Sequence, residues 1–249
     1  MVKGIIMAYK IETISVYEVF EKKCTCPLCS LENKLEADYV DYYLGNAAML
    51  PEIRVEVNKH GFCGRHLDML ASAGNKLPLA LQLHTYLCEQ NKRVEKAARD
   101  YAKKCCGRSK SAEESLKKLG EVLNKNNDEC LICKSTQENM DRYIQTLISL
   151  YFDESRFREL FNDCNGFCRR HFYQLLVHSR KVCSSKQLEA FTQKLVGLEQ
   201  EQMHALEESV EHFTKMFDYR SKDLEWGDSR TAVSRCVQVL GGSTVNEKK

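Results

Sequence analysis

The sequence predicts an all-α protein built as a duplicated helical repeat, with each copy organised around a Cys₃His metal site. Three observations carry this. Only three prolines and twelve glycines punctuate 249 residues, which suits long helices better than a many-turned β architecture. Apolar residues recur at three- and four-residue spacing, the mark of one helix face, and no strand-like alternation stands out. One four-ligand pattern also occurs twice. Cys26-Pro27-Leu28-Cys29 is followed by Gly61-Phe62-Cys63-Gly64-Arg65-His66, and Cys130-Leu131-Ile132-Cys133 by Gly166-Phe167-Cys168-Arg169-Arg170-His171.

Taken in order, residues 1–22 hold an N-terminal helix, in which Ser15-Val16-Tyr17-Glu18 fits a capping box running up to Lys22. Residues 23–104 form the first metal-binding repeat. Leu31, Leu35, Tyr39 and Tyr42 mark a helix after the first C-x2-C, another starts at His66-Leu67, and a long one covers Leu77 to Lys104. Residues 105–124 are a linker whose helix opens at Ser111 with Glu114 and ends at Leu123. Residues 125–220 repeat the pattern. Met140, Tyr143, Ile144, Leu147 and Leu150-Tyr151 share a face, Phe157-Leu160-Phe161 makes a short amphipathic turn, and a helix starts at His171-Phe172. A long helix from Ser185 to Arg220 closes this copy. Residues 221–249 carry a final helix capped by Asp228, with Ala232, Val233, Cys236, Val237 and Leu240 on one side. Gly241-Gly242 stops it. The tail after Ser243 reads as disordered, and Trp226 as packing the last helix onto the body.

The duplication extends past the ligands. The copies align at an offset of 104 residues at C-x2-C and 105 at C-x2-H, placing Tyr39 on Tyr143, Arg54 on Arg158, Arg65 on Arg170 and Leu70 on Leu175. Self-similarity of this kind means one supersecondary unit used twice. The intervals between ligand pairs are nearly equal, 33 and 34 residues. This favours closure of each site within its own copy over exchange of ligands between copies.

Composition excludes several functions. Net charge is only +2, from 37 basic and 35 acidic residues, so no overall footprint for nucleic acid or anionic membrane exists. No apolar run approaches the ~18 residues of a membrane span. The short run at Ile5-Ile6-Met7-Ala8 has neither the length nor the cleavage site of a signal peptide. This reads as a cytoplasmic chain. In a reducing compartment thirteen cysteines point to metal or redox chemistry before disulfides. No phosphate-cradling glycine loop, nucleophile elbow or paired acidic motif is present, and no catalytic residue is assigned.

Four soft or borderline ligands in two close pairs are what tetrahedral zinc needs. Each C-x2-C or C-x2-H at a helix start puts two donors on one side of a turn, where the helix dipole stabilises thiolates. The predicted metal ligands are Cys26, Cys29, Cys63, His66, Cys130, Cys133, Cys168 and His171, binding two zinc ions per chain. Core cysteines with a capped histidine are the blander reading. Cys24, Cys164 and His60 stand nearby as alternative ligands or neighbours of the ligands. An iron–sulfur cluster with Cys24 or Cys164 as a spare thiolate is the alternative cofactor, and Cys-Pro-Leu-Cys also resembles a redox dithiol. Cys105-Cys106 reads as surface thiols, and Cys88, Cys183 and Cys236 as core. The basic stretch Lys92 to Lys110 can touch phosphate or merely face solvent.

Ile11-Glu12-Thr13-Ile14-Ser15-Val16-Tyr17 leads into Cys26-Pro27-Leu28-Cys29-Ser30-Leu31-Glu32, then the two Gly-Phe-Cys-x-Arg-His motifs and the Trp226 helix. Together they resemble an uncharacterised bacterial family, a domain of unknown function similar to proteins found largely in anaerobic Gram-positive bacteria. The resemblance covers about residues 9 to 242. It implies a cytoplasmic, all-helical, metal-binding protein with the same eight ligands, and supplies no activity, substrate or partner. The expected function is that of a non-enzymatic zinc protein serving macromolecular interaction or regulation. The partner and oligomeric state are unassigned. The alternatives are a redox protein or a nucleic-acid binder.

Overall fold

The computed structural model describes residues 11–106, 109–218 and 224–242, and every regular element among them is helical. In chain order these are α1 (Ile11–Phe20), α2 (Pro27–Leu44), α3 (Pro51–His60), α4 (Gly64–Ser72), α5 (Lys76–Lys104) and α6 (Lys110–Asp128). There follow α7 (Leu131–Asp153), α8 (Ser155–Asn162), α9 (Arg169–Val182), α10 (Ser185–Lys215) and α11 (Ala232–Gly241). Short 3-10 turns occupy Asn46–Met49 and Gly227–Thr231. After each C-x2-C the order is the same: a long helix, a short one, the C-x2-H helix, then a second long helix. Prolines sit where they cost least, Pro27 and Pro51 each opening a helix, where the missing N–H is no loss.

The chain divides into two compact units, residues 1–33 with 139–249, and residues 34–138. Both boundaries fall inside helices, α2 and α7. Side-chain burial shows why a helix can serve both units. Leu28 and Leu31, in the first turns of α2, are buried and fall in the first unit, while Val40, Tyr43 and Leu44 further along belong to the core of the second.

The first unit is built on aromatic packing. Phe20 of α1 meets Phe157, Phe161 and Phe167, and Tyr151, Phe161 and Phe191 stack edge to face or tilted around them. Tyr17 donates a hydrogen bond to Glu154, and Arg156 lies over the Tyr17 ring. The second unit's core joins Val40, Tyr43, Leu44, Val57, Phe62, Leu70 and Leu79 to Cys130 and Ile132.

Several local expectations shift. Ser15 does not cap α1, because the helix already includes Ile11 and buries Val16, Val19 and Phe20. The linker helix is capped by Ser109, whose hydroxyl accepts from the Ala112 amide, and not by Ser111. Asp228 lies within a 3-10 turn, and α11 turns Ala232 and Val239 inward while Val233, Val237 and Leu240 stay nearly half exposed. Gly242 ends α11 in the left-handed region at φ 67°. Trp226 packs on Phe213 and Phe217 at the end of α10. Cys88 is exposed, and Cys183 and Cys236 are only partly buried, so none of the three is a core residue. Residues 1–10, Arg108, Arg220 and the tail from Ser243 lie outside the described residues.

Candidate metal centres

The eight predicted ligands come together, but not in the expected combination. Cys26, Cys29, Cys168 and His171 form one group, and Cys63, His66, Cys130 and Cys133 form the other. Each C-x2-C is therefore joined to the C-x2-H of the other copy. Closure within each copy, which the equal intervals favoured, is not what the fold does. The reason is visible in the helices: α2 and α7 each run on from their C-x2-C as long rods, carrying the chain away from its own cysteines. The first centre lies within the first unit and the second within the second. Cys24, Cys164 and His60 belong to neither group. His60 instead bonds Glu129 at 3.0 Å and lies 3.6 Å from Glu56.

Every ligand pair occupies the start of a helix. Cys63 and Cys168 are the N-cap residues of α4 and α9, with extended backbone at ψ 165° and 156°. Neither side chain caps its helix, because each sulfur turns to its centre. The Cys26 and Cys130 carbonyls accept from Ser30 and Lys134 amides, placing both cysteines at the same point of α2 and α7. The second ligand of each pair then falls one turn on, on the same side. Each centre thus lies between two helix N-termini, whose free amides and dipoles favour negative charge.

The separations suit a single ion. In the first centre Cys29 and Cys168 sulfurs are 3.5 Å apart, and His171 Nδ1 lies 3.5, 3.4 and 3.2 Å from Cys26, Cys29 and Cys168. In the second, His66 Nδ1 is 3.3 Å from each of Cys63, Cys130 and Cys133, and the Cys63–Cys133 sulfurs are 3.8 Å apart. A tetrahedral zinc ion with ordinary bond lengths sets its ligands about 3.5–3.8 Å apart. These separations lie within a few tenths of an ångström of those that such an ion sets, and every donor pair lies within 4.8 Å.

Burial and mutual hydrogen bonding divide the protons unevenly among the donors. Burial and the facing thiols push Cys26 well up, and the hydrogen bond to Cys168 leads in pushing Cys29 to about 12. Burial and the neighbouring Cys130 push Cys133 to about 12. Burial also opposes ionisation of Cys130, but the His66 hydrogen bond overcomes it and draws that thiol down to about 6. Against the same burial, Cys130 and Glu36 raise His66 to about 10. Loading an ion therefore displaces protons.

Two carboxylates that sequence reading missed complete the centres. Glu36 accepts from Arg65 through both oxygens and stands 3.3 Å from His66 Nε2. Burial works against its ionisation, yet His66 and Arg65 hold it below the ordinary carboxylate range. Glu32 pairs in the same way with Arg170, and lies 3.7 Å from His171 Nε2, in ion-pair range but beyond a hydrogen bond. A carboxylate on Nε2 orients the ring and leaves Nδ1 as the metal donor. The arginine of each Gly-Phe-Cys-x-Arg-His motif is thus tied to that carboxylate.

The motif glycines have a backbone reason. Gly61 and Gly166 adopt φ 69° and 96°, a region that side chains rarely enter. A Cβ on Gly61 would meet the Tyr86 ring of α5 at 2.9 Å, and one on Gly166 the Gln202 amide of α10 at 2.7 Å. The Gly61 carbonyl also accepts from the Leu131 amide at 3.2 Å. Pro27 holds the matching position in the first copy and has no N–H to donate.

Among the described residues no helix is long and apolar enough to cross a membrane. The chain is 20% identical over 225 residues to an uncharacterized 23.9 kDa protein in the xynA 3' region of Caldicellulosiruptor sp. (strain Rt8B.4), an alignment covering 89% of this chain and 97% of that one. No solved structure matches it. Over residues 7–247 the sequence matches DUF6062, a family of unknown function, and the chain belongs to that family.

Proposed function

We propose that the protein binds two zinc ions, one per centre, as structural cross-links, and that it serves as a macromolecular interaction or regulatory protein and not as an enzyme. The observation that carries the metal reading is the mutual approach of four donors in each group, all within 4.8 Å of one another. A cage of that size takes one ion. A multi-iron cluster places inorganic sulfide between its cysteines and needs a wider cage. Four protein ligands leave no open coordination position for substrate, which is the arrangement of structural zinc. The described cysteines are all free thiols, which suits a reducing compartment such as the cytoplasm.

Elemental analysis with a visible spectrum on anaerobically purified protein tests this. Two zinc per chain and no colour are expected. Iron with charge-transfer absorbance would make it a redox protein instead, and folded protein holding no metal would remove the proposal's foundation.

A second reading concerns the α5–α6 surface. A groove of about 780 Å³ there is lined by Lys92, Arg93, Lys96, Arg99, Lys103 and Lys118 against Glu95 and Asp100. Lys92 and Arg99 are paired with Glu89 and Glu95. Arg93, Lys96, Lys103 and Lys118 make no close ion pair among the described residues, although after Lys104 both Lys118 and Lys103 help to lower the Asp100 carboxyl, and after Lys92 Arg93 helps to lower that of Glu89. This favours an anionic partner such as nucleic acid. Lys104 is tied to Asp100 at 2.9 Å, so Lys96→Glu with Lys103→Glu is the informative pair. Binding to a single-stranded oligonucleotide that falls with salt and with this double substitution supports the reading. Binding indifferent to both excludes it.

A further inference from the structure

The two centres have the same donor set, and each has an arginine-paired glutamate beside its histidine, yet they differ in what covers them. All four ligands of the Cys26 centre are buried, with Cys26, Cys168 and His171 at 0% exposure and Cys29 at 1%. The end of α11 closes over this centre. The Gly242 carbonyl lies 3.8 Å from Cys29 Sγ, and a Cβ built on Gly242 would stand 3.6 Å from Cys168 Sγ and 3.5 Å from Arg170 Nε. Backbone thus approaches the Cys29 sulfur, and at Cys168 it leaves only the space that a Cβ would fill. In the other centre His66 and Cys130 are buried, but Cys63 is partly exposed and Cys133 fully counted among the exposed thiols. These two sulfurs face each other at 3.8 Å, so solvent reaches one edge of the ligand tetrahedron.

Zinc–thiolate bonds exchange when an incoming donor reaches the ion and coordination expands to five before one ligand leaves. Access therefore sets the rate, and the shell around a site controls access. We propose that the Cys63–His66–Cys130–Cys133 centre is an exchangeable site that passes its ion to a small thiol or other soft donor through Cys133, while the Cys26–Cys29–Cys168–His171 centre retains its ion. The exchange is redox-neutral. With zinc held as proposed, an incoming thiol would give up its proton and take the place of Cys133 on the ion, and the released Cys133 thiolate would take up a proton. Repetition at Cys63, Cys130 and His66 would free the ion. This rests on the zinc reading above, and it gives the two centres separate tasks: one holds the fold, the other responds to the supply of competing donors.

The experiment uses the full chain carrying two zinc ions. Native mass spectrometry follows the ions during treatment with excess glutathione, and in parallel with the chelator 4-(2-pyridylazo)resorcinol. Pulses of N-ethylmaleimide with peptide mapping report which cysteines have been freed. The expected result is two phases, the first ion leaving about tenfold faster or more. Cys63, Cys130 and Cys133 are labelled in the first phase, and Cys26, Cys29 and Cys168 only in the second. Loss of both ions in one phase overturns the proposal, as does labelling of Cys26, Cys29 and Cys168 first. Protein that carries no metal before the chase begins overturns the zinc reading itself, and the proposal with it, and is recognised at the outset.

Discussion

The exchange of ligand pairs between the copies makes a prediction that counts whole ions. Consider two double substitutions of the same chemical severity. Cys26→Ser with Cys168→Ser removes two ligands from one centre and leaves the other intact, because these residues share a group. Cys26→Ser with Cys63→Ser removes one ligand from each centre. Three ligands of which one edge is opened to water hold zinc far less well than the complete set. The first variant is expected to purify with one zinc per chain and the second with none or a small fraction. Inductively coupled plasma mass spectrometry on dialysed protein, with circular dichroism to confirm helicity, reads the difference directly. If closure occurred within each copy the outcome would invert, with one ion in Cys26→Ser/Cys63→Ser and none in Cys26→Ser/Cys168→Ser. That inversion would refute the pairing.

The pairing also has an energetic scale. Cys29 and Cys168 are 139 residues apart, about four times the span that closure within a copy would join. Loop-closure entropy grows as the logarithm of length, so the longer span removes about 1 kcal/mol more freedom from the unfolded chain. Cys63 and Cys133 are 70 apart. Halving the span reduces the loop-closure contribution by about 0.6 kcal/mol. Urea unfolding is therefore expected to show a larger loss for the protein lacking the Cys26 ion than for the protein lacking the Cys63 ion.

Glu36→Gln removes the carboxylate from Arg65 and His66 while keeping its shape. Zinc affinity at the Cys63 centre should fall about 10–100-fold, with the Cys26 centre unchanged in a chelator competition titration; equal weakening of both would contradict the local role. Gly61→Ala forces a side chain into φ 69°, ψ −162° and against Tyr86, so a loss of about 1–3 kcal/mol is expected by denaturant titration. A variant as stable as the parent would mean that the turn relaxes freely. Phe157, at 0% exposure, touches Tyr17 and Phe20; Phe157→Ala should cost about 3–5 kcal/mol, and a loss under about 1 kcal/mol would show that α1 does not pack there as described.

The sequence carried the eight residues that cluster and the helices but not which pair meets which. Two donors at a helix start repeat a spacing that local geometry dictates, so Cys26/Cys29, Cys63/His66 and their counterparts were legible as pairs. Which pair meets which depends on where long helices deliver the chain, and a linear interval contains no such direction. The long helices were readable because their apolar spacing persists: α5 begins one residue before the expected Leu77, and α10 begins at the expected Ser185. Short polar signals misled. Ser15 and Ser111 had the right residue types for caps, but burial of Val16 and the Ser109 hydroxyl decided those helix starts. Cys88, Cys183 and Cys236 showed that an apolar position in a helix pattern does not say which helix face is covered.

The two glutamates were missed for a more specific reason. Comparing the copies draws attention to residues matched in both, and the motif arginines are so matched. Their partners are not. At the offset of 104, Glu32 and Glu36 fall on Thr136 and Met140, so α2 supplies the carboxylate to both centres and α7 to neither. The charge balance explains why a carboxylate is tolerable at all. With zinc bound as proposed, three thiolates and the ion would sum to a single negative charge, which two helix N-termini of about half a positive charge each would offset. A bare carboxylate beside that arrangement would add uncompensated negative charge in a buried place. Bidentate pairing with Arg65 or Arg170 makes each carboxylate part of a neutral unit. The Glu36 oxygen is then free to orient the His66 imidazole without repelling the thiolates. The arginine in Gly-Phe-Cys-x-Arg-His is on this account not an ancillary surface charge but the condition under which its neighbouring histidine can be held by an acid.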